Sequence, residues 1–102
     1  MIKHSMTHGL VAGLALTCIG GAFAADPNQG RNLAATCANC HGTNGKSAGG
    51  TESLAGLPKD KIVQNMKDFA SGDKPATVMH QLAKGFSATQ IEAMASFFAA
   101  QK

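Results

Sequence analysis

Cys37-Ala38-Asn39-Cys40-His41 sets two cysteines two residues apart, with a histidine directly after the second. This spacing is the pattern for covalent attachment of a c-type haem. The chemistry explains it. Each thiol adds across one vinyl group of the porphyrin, so two thioether bonds hold the macrocycle. The histidine, fixed beside Cys40, is then positioned to supply a proximal nitrogen to the iron. The reading needs three things from the rest of the chain: an export signal, a distal ligand, and helices that wall in a haem.

The export signal is legible at the N-terminus. Met1 to His8 carries Lys3 and two histidines, and Gly9 to Gly21 is uncharged and mostly apolar. Ala22-Phe23-Ala24 then presents small residues at both positions a signal peptidase reads. This order predicts a secretory signal peptide over residues 1–24, cleaved after Ala24. It leaves residues 25–102, 78 in all, as one monohaem domain. The apolar run is short for a retained anchor, which needs about 20 residues. Leu16-Thr17 before Cys18 makes a poor lipobox. The expected location is the periplasm, with no stable membrane insertion after cleavage.

Cleavage removes Cys18 and leaves Cys37 and Cys40 as the remaining cysteines. An exported pair also fits a disulfide, a thioredoxin-like site or half of a zinc site. The thioredoxin reading wants a preceding strand in a βαβ context, which the sequence does not suggest. The zinc reading wants a second ligand pair, and only His41 and His80 remain. Size favours a staple as well. A chain of this length is near the limit at which an apolar core alone suffices. The sequence has no Trp or Tyr, five Phe and twelve Gly. A covalently bound haem is a large apolar group that completes such a core, so the apoprotein is expected to be largely unfolded.

Net charge is +3, falling to +2 when Lys3 is removed. The lysines are dispersed, with no dense basic run, which argues against a nucleic-acid partner. The mild positive charge either orients an acidic redox partner or simply solubilises the domain.

The chain reads as all-α, with about four helices joined by glycine-rich loops around one haem. Asp26 is a candidate cap and Pro27 suits a first helical position. Leu33, Ala34 and Cys37 then share a face of a helix running to about Ala38. Gly30 either admits another helix closely or is merely tolerated near a helix start. Residues 42–50 are loop, followed by the short apolar segment Leu54 to Pro58. A second helix over about 58–70 aligns Ile62, Met66 and Phe69. Pro75 opens a short third helix bearing Val78, Leu82 and Phe86, stopped at Gly85. Ser87-Ala88-Thr89-Gln90 is a capping box before a last helix over about 88–100. That helix carries Ile91, Met94 and Phe98 on one face, with Phe97 close beside them.

The distal ligand decides function, because five-coordinate haem binds gases or peroxide and six-coordinate haem mostly carries electrons. Met66 and Met94 lie on helical apolar stripes and read as core. Met79 follows the turn Gly72-Asp73-Lys74-Pro75 and lies off the Val78, Leu82, Phe86 face. It is the favoured distal ligand, with His80 as rival.

These residues carry a family resemblance that spans residues 25–102. Cys37-Ala38-Asn39-Cys40-His41-Gly42 with the glycine loop resembles class I cytochrome c. Ser53-Leu54-Ala55-Gly56-Leu57 is similar to the apolar turn of the cytochrome c4 group. Pro75-Ala76-Thr77-Val78-Met79, Ala83-Lys84-Gly85-Phe86-Ser87 and the stretch Ile91 to Phe98 resemble the haem subunit of flavocytochrome c sulfide dehydrogenase. The resemblance implies that Met79 is the sixth iron ligand and that the terminal helix packs across the N-terminal one. It also exposes a departure. Relatives usually have a proline whose carbonyl accepts from the proximal histidine Nδ1–H, and this chain has Glu52 there. A carbonyl remains, without proline's rigidity. A looser bond makes His41 a weaker donor; alternatively, Glu52 simply faces solvent.

Two functions follow as expectations. The first is a periplasmic electron carrier with one His41/Met79-ligated haem c. The alternative is the electron-accepting subunit of a sulfide-oxidising flavoenzyme, with a flavoprotein as partner. A five-coordinate gas sensor or peroxidase is a third reading. No side chain reads as a general acid, base or nucleophile, so the chain is not expected to be an enzyme by itself.

Overall fold

The computed structural model describes residues 26–102. The expected signal segment, its cleavage site and Cys18 lie outside the described residues. Five α-helices and no strand occur among those described: α1 (Gln29–Ala34), α2 (Ala38–His41), α3 (Lys59–Ser71), α4 (Met79–Lys84) and α5 (Ala88–Ala99). A tight 3-10 turn, Ala35–Cys37, joins α1 to α2, and the junction residues Ala34 and Ala38 keep right-handed helical angles. The three form one interrupted helical stretch, so the packed units number four, as expected. Thr36 marks the interruption. Its hydroxyl donates to the Leu33 carbonyl at 2.9 Å, a back-bond that bends helices.

Two helix starts differ from expectation. Asp26 does not cap a helix beginning at Pro27. Its carboxylate accepts from the Asn28 N–H at 2.8 Å, which closes a turn instead. The helix therefore starts at Gln29. Pro75 does not open the third helix either. Residues 75–78 are irregular and α4 begins at Met79. Thr77 and Val78 are β-branched and poor helix initiators, and Val78 at the cap position gives no side-chain bond.

The capping box is present as read. The Ser87 N–H donates to Gln90 Oε1 at 2.9 Å, and the Gln90 N–H donates to Ser87 Oγ at 3.2 Å. It sets the register of α5, which buries Ile91, Met94, Ala95 and Phe98. These four join Ala34 of α1 and Ile62 of α3 in the core. The terminal helix does cross the N-terminal one, and Gly30 makes the crossing possible. A Cβ built there would lie 2.5 Å from the Ala93 carbonyl oxygen and 3.3 Å from Phe97 Cβ. The turn Leu54 to Leu57 is tied to the same helix by the Gly56 N–H, which donates to the Phe98 carbonyl at 2.9 Å. The α1–α5 pair, with α3 against it, leaves α4 packed on α3 across an open space.

Candidate haem-binding site

That space is a cavity of about 520 Å³, within the ~300–1,000 Å³ of sites that hold organic cofactors. Cys37, Cys40, His41 and Met79 all line it. The helical backbone from Ala35 to His41 explains the first three. Residues three and four apart share a face, so Cys37, Cys40 and His41 are presented together. Gly42 then ends the stretch with φ of 84°, and a Cβ there would lie only 1.7 Å from the Lys46 carbonyl oxygen. Only glycine lets the chain turn back so tightly behind the histidine.

His41 is oriented from behind. Its Nδ1 lies 2.6 Å from the Glu52 carbonyl oxygen. A carbonyl only accepts, so Nδ1 carries the proton and Nε2 keeps its lone pair for a metal. The missing proline has not cost this bond. Neighbouring bonds hold the segment instead. The Ser47 N–H donates to Ser53 Oγ at 2.9 Å, and the Gly45 carbonyl accepts from Leu54 at 2.7 Å and Ala55 at 3.1 Å. Glu52 itself is exposed, so its side chain faces solvent while its carbonyl serves the ring.

The cysteines differ in environment. Cys37 is half-buried and Cys40 exposed, and the two are not joined in a disulfide. Burial pushes the Cys37 thiol up, offset in part by the Thr36 hydroxyl 3.9 Å away. Among the described residues no group of three or more His, Cys, Asp or Glu gathers to hold a metal ion.

The distal side separates Met79 from His80. His80 does not line the cavity. Its Nε2 lies 2.8 Å from the Lys74 carbonyl oxygen, to which it must donate. Met66 and Met94 behave as core, Met94 being buried and Met66 half-buried, although both also reach the cavity wall. One expectation needs correcting. Met79 does not lie off the Val78, Leu82, Phe86 face, because all four line the same cavity. Val78 is 57 % exposed and Leu82 52 %, so they form its rim rather than a packed stripe. A helix of only six residues, entered by an irregular segment, has no single buried face. Asn65 is a wall residue that the sequence reading passed over. It lies three residues after Ile62 and one before Met66, on the same helix face, and that spacing was the available signal.

Two thiols and a pre-oriented imidazole on one helical stretch, facing an apolar cavity with a methionine in its wall, fit a covalently held haem. An all-α domain with this site is a c-type haem protein. The family model described as cytochrome c matches residues 28–101. The chain therefore belongs to the cytochrome c family, in its class I form, with haem c and its iron as covalently bound cofactor. As a member of that family, the domain is an electron carrier.

Three curated relatives share its sequence. It is 35% identical over 71 residues to the cytochrome subunit of sulfide dehydrogenase of Chlorobaculum tepidum, covering 70% of this chain and 64% of the relative. It is 35% identical over 94 residues to the thiosulfate dehydrogenase electron acceptor of Thiomonas intermedia, covering 87% and 43%. Cytochrome c-552 of Acidithiobacillus ferridurans is 34% identical over 61 residues, covering 60% and 26%. The matches thus span less than two thirds of each relative's length. No helix among the described residues is long and apolar enough to cross a membrane.

Proposed function

We propose that the chain is exported, loses residues 1–24, and works in the periplasm as a single-haem electron carrier. Cys37 and Cys40 form the thioethers, His41 ligates iron through Nε2, and Met79 supplies the distal sulfur. The bound haem supplies a one-electron couple between ferric and ferrous iron. The protein's residues do the rest. Cys37 and Cys40 fix the macrocycle, and the bond from His41 to the Glu52 carbonyl holds the ring in one tautomer. Leu54, Ile62, Phe86 and Phe98 keep water from the cavity. A thioether opposite the imidazole raises the reduction potential relative to a second imidazole.

The observation that carries this reading is the shared cavity of His41 and Met79, together with the commitment of the His80 Nε2 to the Lys74 carbonyl. The test is Met79→Ala. The oxidised wild type is expected to show the weak thioether-to-iron band at about 695 nm, and the variant to lose it. The reduced variant is expected to bind carbon monoxide at once, where the wild type binds it only slowly, as the thioether comes off. Retention of the band in Met79→Ala would remove Met79 as ligand.

A second reading concerns the donor. The relatives named as a cytochrome subunit of sulfide dehydrogenase and a thiosulfate dehydrogenase electron acceptor favour a sulfur-compound dehydrogenase as redox partner. In its specific form the partner is a flavoprotein that oxidises sulfide and passes electrons to this haem. Co-purification with a flavin-containing protein supports it. A monomer reduced equally fast with and without such a protein counts against it.

A further inference from the structure

The segment that carries Met79 is held in an unusual way. Residues 75–78 run along the cavity without regular structure; Pro75 has no N–H, and among the described residues the N–H groups of 76–78 make no backbone hydrogen bond. The Val78 carbonyl is tied forward into α4, accepting from the Gln81 N–H at 3.0 Å and the Leu82 N–H at 3.1 Å, which does not fix the stretch to α3. The segment's two ends are fixed instead. At the near end, Lys74 is anchored to α3 three times. Its N–H donates to the Asp68 carbonyl at 3.2 Å, its Nζ donates to Asn65 Oδ1 at 3.0 Å, and its ammonium sits 5.2 Å from the Phe69 ring centroid. At the far end, His80 reaches back over the segment, and its Nε2–H donates to the Lys74 carbonyl at 2.8 Å. The loop from 74 to 80 is closed by this one side chain, directly after Met79. Both partners are part-buried, so water competes poorly for the bond.

We propose that His80 is a positioning residue for the distal face: its bond to the Lys74 carbonyl closes the 74–80 loop and holds Met79 on the iron. The proposal rests on Met79 being the distal ligand. Loop opening is the step that frees the sixth position, so the bond sets how often that position is vacant. One ordinary net hydrogen bond changes such a population by about fivefold. The job needs only an N–H donor at the right reach. Gln keeps such a donor, whereas Phe keeps the ring volume without it and Ala keeps neither.

The experiment uses holoprotein of wild type, His80→Gln, His80→Phe and His80→Ala. Three quantities are followed: the melting of the band at about 695 nm, the melting of the helices by far-ultraviolet circular dichroism, and the rate of carbon monoxide binding to the reduced protein. In His80→Phe and His80→Ala the band is expected to melt well before the helices, and carbon monoxide to bind about fivefold faster. His80→Gln is expected to restore both toward wild type. Should His80→Ala not accumulate as holoprotein, His80→Phe carries the test, since it refills the space. Wild-type band melting and carbon monoxide rate in His80→Phe would overturn the proposal. So would loss of the band only in step with the helices, which is what a merely structural role produces. A wild type that lacks the band refutes the Met79 reading before any His80 variant is made, so the two failures are distinguishable.

Discussion

At the scale of single residues, the proximal histidine shows how a missing proline is replaced. The Glu52 carbonyl accepts from His41 at 2.6 Å, and Ser53 next to it is pinned by the Ser47 N–H at 2.9 Å. Ser53→Ala removes that pin and leaves the carbonyl in place. The bond to His41 then loosens, the imidazole donates less, and ferric iron is less stabilised. The reduction potential of Ser53→Ala is expected to rise by roughly 20–40 mV in a redox titration, equivalent to less than a tenfold change in a one-electron equilibrium. Little of this was legible in the sequence. Glu52 could be seen to stand where relatives have proline, but a backbone carbonyl has no sequence signature. Its direction depends on bonds from residues 45 and 47, across a loop. The choice between Met79 and His80 was similar. The two are adjacent, and they differ in that Met79 lines the cavity while His80 lies outside it, bonded to the Lys74 carbonyl.

At the scale of elements, the crossing of α1 and α5 depends on Gly30. A methyl group there would sit 2.5 Å from the Ala93 carbonyl oxygen, which is helix backbone and cannot step aside cheaply. Gly30→Ala is expected to destabilise the holoprotein by about 1–3 kcal/mol in a denaturant titration. A second tie joins α3 to α5. Lys59 Nζ lies 2.7 Å from Glu92 Oε2, with both side chains well exposed. The bond to Glu92 raises the Lys59 ammonium, and the same bond lowers the Glu92 carboxyl. The signs bound a pH window. The Glu92 contribution is present above the ordinary carboxylate range and is lost as pH falls through its lowered value. The Lys59 contribution is present below the ordinary lysine range and is lost as pH rises through its raised value. Glu92→Gln is therefore expected to melt slightly below wild type at neutral pH. The small gap closes in acid and in molar salt, because the pair is screened by solvent. The helices themselves were legible from apolar spacing and the Ser87–Gln90 box. The starts at Gln29 and Met79 were not, because Asp26 closes a turn and the 74–80 loop overrides Pro75.

At the scale of the whole molecule, the protein core is thin. Among the described residues the buried apolar ones are Ala34, Ile62, Ala83, Ile91, Met94, Ala95 and Phe98, and no large side chain there is fully buried. Val78 and Leu82 stand more than half exposed on the cavity rim. Burial of a macrocycle between these walls contributes apolar area that the side chains do not supply to one another. The apoprotein, made as Cys37→Ala/Cys40→Ala, is expected to show little helix by far-ultraviolet circular dichroism and no sharp thermal transition. Native-like helicity with a cooperative melt in that variant would show that the haem is not the staple. What the sequence alone determined about this protein was its local chemistry. Cys37, Cys40 and His41 are neighbours along the chain, so one helical turn suffices to present them together, and their spacing can be read directly. The all-α class followed for the same reason, since helical periodicity is a property of consecutive residues. The tertiary structure decided that Met79 meets His41 in one cavity, which carbonyl accepts from the histidine's Nδ1–H, and that His80 reaches back to the Lys74 carbonyl. Those are meetings between residues far apart in the chain. They depend on where α3, α4 and α5 come to rest against the haem-bearing stretch, and no local pattern encodes that.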